Sequence, residues 1–145
     1  MLMPDVNVLI YAHRLEPPEH ERYAQWLINV VRDSEPFALS ELVSSAFVRI
    51  VTNPRAFGPP TERTIAFAFI EQLRTRSNCV TLRPGLNNWK IFERLCDEAS
   101  AQGKLISDAY HAALAIEHGC EWVTADADFA RFEGLRWRHP FQARA

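Results

Sequence analysis

The chain has 145 residues, 48% of them hydrophobic, and a formal net charge of −2. That size and apolar content suit one compact domain over residues 1–145, and the near-balanced charge excludes a chain-wide basic field that would force a nucleic-acid or membrane partner. Cys79, Cys96 and Cys120 are odd in number and far apart, which excludes a disulfide framework or thiolate zinc site and points to a reducing cytoplasm. Of the 16 basic residues only Lys90 and Lys104 are lysine, a skew toward the side chain that grips phosphate in a fork.

The opening MLMPDVNVLIYAHR has no basic stretch and meets Asp5 almost at once, and no apolar run approaches the ~20 residues of a membrane span. We therefore expect a soluble, cytoplasmic chain that begins with its fold. Met1 to Met3 is a short apolar run, too brief for a helix. Tyr23, Trp26, Leu27, Val30 and Val31 form one stripe of a 3.6-residue period, so a helix is expected there. A second run, Phe37 to Leu39, precedes Ser40, a good N-cap for a helix carrying Leu42, Val43, Ala46, Phe47, Ile50 and Val51, which Asn53-Pro54 stops.

Thr61 is the expected cap of a helix with Ile65, Phe69 and Leu73 inward; a run from Cys79 to Leu82 follows. Trp89, Phe92, Leu95, Cys96 and Ala99 mark another helix, ending near Gly103. Ser107 or Asp108 can cap the next, with Ala109, Ala112, Ala113 and Ile116 inward and Gly119 as its stop. Trp122 to Thr124 and Leu135 to Trp137 are the last runs. Short apolar runs alternating with helices read as an α/β fold whose mainly parallel sheet of four to five strands is covered on both faces.

Ligands of such a sheet bind at the carboxyl ends of its strands. Asp5 follows the first run, Glu41 the second, Asp108 opens a helix, and Asp126 and Asp128 follow the Trp122 run in TADADF. Singly, each has a plain explanation as a cap, a first-turn acid or a turn former. Asp5 fits that explanation least, because it lies between apolar segments where an unpaired charge is costly. Jointly the acids repel one another unless a cation neutralises them or some stay protonated. Hard oxygens suit Mg2+ or Mn2+, which supports hydrolysis of phosphodiesters.

Four segments then carry a resemblance: MPDVNVLIYA, SELVSSAFVRIVTNPR at 40–55, SDAYHAALAIEHG at 107–119 and WVTADADF at 122–129. In that order they resemble PIN-domain proteins, specifically the VapC ribonuclease toxins of bacterial toxin and antitoxin modules. The resemblance implies a three-layer α/β/α fold and Mg2+- or Mn2+-dependent endoribonuclease activity. It implies that Asp5, Glu41, Asp108 and Asp126 are the catalytic and metal-binding acids, with Asp128 an extra one. Asn7 and Thr124 match the polar residues that orient them. It also implies an RNA substrate, transfer or ribosomal, a VapB-like antitoxin whose tail wraps the toxin, and a homodimer.

Two alternatives stay open. A non-catalytic PIN-like binding module would use the acids only as caps. A phosphatase of the haloacid dehalogenase type would also place an aspartate after its first strand, but Asn7 stands where its second acid belongs, and neither Lys90 nor Lys104 looks well placed for its lysine. His13 and His111 are read as structural. Trp26, Phe47, Phe57, Phe67 and Phe69 are expected to pack in the core, and Arg14, Arg49, Arg55 and Arg131 are candidates for gripping RNA.

Overall fold

The computed structural model describes residues 1–143. Its centre is a five-stranded sheet of β1 (Leu2–Pro4), β2 (Phe37–Ser40), β3 (Cys79–Leu82), β4 (Glu121–Val123) and β5 (Trp137–Arg138), in the order β3-β2-β1-β4-β5. Every pairing is parallel, with Leu2 opposite Phe37 on one side and Glu121 on the other. The three central strands have almost no exposed residues, as expected where helices cover both faces. The edge strand β5 is only two residues long, which limits the unpaired edge it presents.

Helices α1 (Val6–His13), α2 (His20–Arg32), α3 (Glu41–Val51) and α4 (Arg63–Arg74) carry the chain from β1 out to β3 and pack on one another; α5 (Asn88–Ala99) and α6 (Lys104–Glu117) pair with each other and return it to β4. Parallel crossovers are right-handed, so reversing the direction of travel after β3 puts the second group on the opposite face. Phe37, Phe47, Met3, Leu39 and Trp122 fill the interior between these layers.

The VNVLIYA segment, which apolar spacing does not assign, is a helix capped by Asp5. Three expectations need correction. Thr61 does not cap α4; that helix starts at Arg63, and its buried stripe is Ala66, Ile70 and Leu73, leaving Ile65 and Phe67 exposed. Ala66 is wholly buried, whereas the larger Ile65 is exposed. Trp89 is likewise outside the core. Finally, α6 begins at Lys104 behind Gly103, a full turn before Ser107 and Asp108. Gly103 has φ +59°, a conformation that favours glycine, and it ends the previous connection without any side-chain cap.

Candidate functional site

The strand order reverses between β1 and β4, since the chain runs outward from β1 to β3 and then resumes on the other side. Loops diverge at such a point and leave a crevice at the carboxyl ends of the strands. Asp5 leaves β1 into that crevice and Thr124 leaves β4, their backbones joined by Asp5 N donating to Val123 O at 2.8 Å.

Asp5 is 5% exposed. Its Oδ1 accepts from Val6 N at 2.6 Å, which caps α1, and its Oδ2 accepts from Thr124 Oγ1 at 2.7 Å. Burial pushes its pKa from 3.8 up to about 6, against the pull of the Thr124 and Val6 hydrogen bonds and with an added push from the Asp108 and Asp126 carboxylates. Three acids from separate parts of the chain therefore share one electrostatic neighbourhood.

Thr124 is wholly buried, and its hydroxyl is used to capacity: it donates to Asp5 and accepts from Asp126 N at 3.0 Å and Asn7 Nδ2 at 3.3 Å. Asn7 in turn accepts from Ala125 N through Oδ1 at 3.3 Å. Asn7 and Thr124 thus tie the start of α1 to the loop after β4 and fix the carboxylates relative to each other.

Asp126 divides its carboxylate between two tasks. Oδ1 accepts from Asp128 N at 2.9 Å and caps the 3-10 turn Ala127–Arg131, while Oδ2 lies 3.4 Å from Lys104 Nζ. Asp128 is exposed beside them and, with Asp126, helps to raise the pKa of Asp108. Asp108 stands in the second turn of α6, so it is not a cap; it is buried, and Lys104 Nζ lies 3.3 Å from its Oδ2. Burial is the largest influence on Asp108 and raises its pKa, the Lys104 ammonium opposes it, and the net shift is upward.

Glu41 pairs with an arginine from another element, not with Lys104. It is the first residue of α3, its Oε1 accepts from Arg83 Nε at 3.1 Å, and both side chains are exposed. It lines a cleft of about 970 Å³ with Ser40, Arg83, Phe92, Ser107 and Tyr110, next to the N-terminal half of α6. Ser40 serves as N-cap, accepting from Val43 N at 3.0 Å. Among the described residues no three His, Cys, Asp or Glu side chains are already arranged as a metal cage. Asp5, Asp108 and Asp126 share a charge environment with a lysine ammonium beside the latter two.

Lys104 is the site residue that sequence reasoning passed over. The signal was its i, i+4 spacing from Asp108, which only counts once α6 is known to begin at Lys104. His111 is buried and stacks on Trp122, with no hydrogen-bond partner for Nδ1; burial pushes its pKa down to about 4, so it stays neutral. His13 packs edge-on against Phe47 and Phe69 and shares a hydrogen bond with Thr61. Arg14 is not free to grip RNA: it pairs with Glu16, donates to Thr61 and Pro59 O, and lies over Phe57. Arg49, Arg55 and Arg131 are exposed.

The PIN domain family matches residues 2–135. The chain is 43% identical over 140 residues to the VapC ribonuclease Mb2897 of Mycobacterium bovis, covering 97% of this chain and 95% of that protein. It belongs to the VapC ribonucleases of the PIN-domain family. Ribonuclease VapC25 of Mycobacterium tuberculosis is 40% identical, over 97% of this chain and 99% of its own. In fold, the VapC chain resembles VapBC-1 from nontypeable Haemophilus influenzae at a TM-score of 0.70, with 15% identity over 97% of this chain and 98% of that one. The family match displaces the haloacid dehalogenase reading. Among the described residues no helix is long and apolar enough to cross a membrane.

Proposed function

We propose that this VapC chain is the toxin of a toxin and antitoxin module and an endoribonuclease that uses Mg2+ or Mn2+ at the crevice between β1 and β4. The observation that carries this reading is Asp5: a carboxylate 5% exposed, near Asp108 and Asp126, and outside the ion pairs that Lys104 makes with those two. A buried acid among acids is unfavourable without a cation. The donor set fits a hard divalent ion, because all the candidate ligands are carboxylate oxygens and Mg2+ commonly takes only one or two of them besides water and substrate phosphate. A bound ion would supply positive charge at the scissile phosphate and would acidify the attacking water.

Asp5, Asp108 and Asp126 are the residues that would hold it, with Glu41 and Asp128 as outer acids on the same rim. Thr124 and Asn7 keep Asp5 and the loop after β4 in place, so the carboxylates need not reorganise when substrate arrives. A carboxylate takes the proton of the attacking water, the water oxygen attacks phosphorus in line as the bond to the 3′-oxygen breaks, that oxygen takes a proton from solvent, and the products carry a 5′-phosphate and a 3′-hydroxyl. Arg49, Arg55 and Arg131 are exposed cations available to an RNA backbone. A transfer or ribosomal RNA is the proposed substrate class.

A VapB-like antitoxin and a second copy of this chain are the proposed partners. The exposed apolar side chains of Leu42, Ile65 and Phe67 give surface for such contacts. The test is cleavage of transfer and ribosomal RNA by antitoxin-free protein, with mapping of the ends produced. Cleavage with Mg2+ or Mn2+ that stops in EDTA is the expected result, and cleavage undiminished in excess EDTA would overturn the reading.

A further inference from the structure

The geometry points to Lys104 as a tethered counter-cation: its ammonium holds Asp108 and Asp126 while no divalent ion is bound, and it must leave for one to enter. Metal binding is then an exchange of cations, with an affinity set partly by this lysine. The inference rests on the reading that Asp108 and Asp126 are metal ligands.

Three observations carry it. First, Lys104 takes the oxygens a metal would need. Asp126 has already committed Oδ1 to Asp128 N, so Oδ2 is its free oxygen, and Lys104 Nζ lies 3.4 Å from that atom and 3.3 Å from Asp108 Oδ2. The two acids belong to different elements, α6 and the loop after β4, so the ammonium bridges them as a small cation would.

Second, the lysine has no local reason to be there. It is the first residue of α6, where the helix dipole disfavours a cation, and a lysine preceding an acid by four residues is the weaker orientation of such a pair. The carboxylates on the rim account for its position; helix stability does not.

Third, the lysine is easy to displace. Its side chain is 76% exposed on a flexible stem, and an ammonium is a compact point charge without the fork geometry that locks arginine onto a carboxylate. Swinging it into solvent disturbs no core packing. Without metal it relieves repulsion between Asp108 and Asp126; with metal present it competes.

The test is calorimetric titration of metal-free protein with Mn2+, comparing wild type, Lys104→Gln, Lys104→Arg and an Asp108→Asn control, with melting temperatures measured alongside. Lys104→Gln should bind Mn2+ roughly 3- to 10-fold more tightly, the scale of a partly screened double ion pair. Its metal-free melting temperature should fall below that of wild type, the gap closing at saturating Mn2+. Lys104→Arg, whose fork grips a carboxylate more firmly, should bind Mn2+ more weakly than wild type. Unchanged or weaker binding by Lys104→Gln, with Asp108→Asn losing it, would overturn the exchange while leaving the site reading intact. Absence of Mn2+ binding in both wild type and Lys104→Gln would overturn the site reading and the exchange with it.

Discussion

Asp5 and Glu41 each follow a parallel strand at the same rim of the sheet, yet the chain treats them in opposite ways. Asp5 is enclosed, with both oxygens engaged by groups that are themselves held, Val6 N by α1 and the Thr124 hydroxyl by Asn7 and Asp126. Glu41 is exposed, with one ion pair to an equally exposed arginine. Position after a strand brings an acid to the rim; burial and a saturated hydrogen-bond network decide whether it is preorganised. Exposed pairs such as Glu41–Arg83 contribute about 0–1 kcal/mol, whereas an acid buried among acids stores repulsion that a cation can release.

The contrast is broken most severely by neutralising its buried side. Asp5→Asn and Asp108→Asn should each lower RNA cleavage by about 10²- to 10³-fold or more, while metal-free melting at pH 7.5 stays unchanged or rises. A large loss of metal-free stability would instead mean that these two carboxylates are kept for the fold and not for a metal.

The same side has a pH signature. Asp5 titrates near 6 when folded and near 3.8 when unfolded, so the stability it allows is complete below about 3.8 and is lost as pH rises through 6. Relative to Asp5→Asn, metal-free wild type should lose on the order of 3 kcal/mol between pH 4 and 7, measured by chemical denaturation. Parallel pH profiles for the two proteins would contradict the burial argument.

Loosening the support without removing a charge tests the network next. Thr124→Val strips Asp5 of one donor and leaves Asp126 N and Asn7 Nδ2 without their acceptor. It should cost about 1–3 kcal/mol by thermal denaturation and about 10- to 100-fold in cleavage, as for residues that orient metal ligands. The mildest change is Glu41→Gln, with stability within about 1 kcal/mol of wild type and a smaller activity loss than Asp5→Asn. An equal loss would move Glu41 into the group of Asp5, Asp108 and Asp126.

Much of this was legible in the chain. The strand at Cys79–Leu82 and the Ser40 cap of α3 follow from apolar runs and capping chemistry, and the positions of Asp5 after β1 and Asp126 after β4 follow from the order of runs and acids, whereas Asp108 stands in the second turn of α6 with no strand before it. What failed did so for physical reasons. Helix α1 has eight residues in a uniformly apolar stretch, so its period carries no contrast. The face of α4 turned inward was chosen by its neighbours, which take Ala66 and leave Ile65 in solvent. The start of α6 was hidden because Gly103 caps it with backbone alone, and that one-turn error concealed Lys104.

The sheet order has a consequence for the chain's own synthesis. β4 is threaded between β1 and β5, and the hydrogen bond that holds Asp5 comes from a residue 119 positions further along. A nascent chain that ends before Thr124 already has Asp5, Glu41 and even Asp108 but still lacks the threonine and aspartate that complete the crevice. The crevice is therefore incomplete until Thr124 and Asp126, in roughly the last seventh of the chain, have been made.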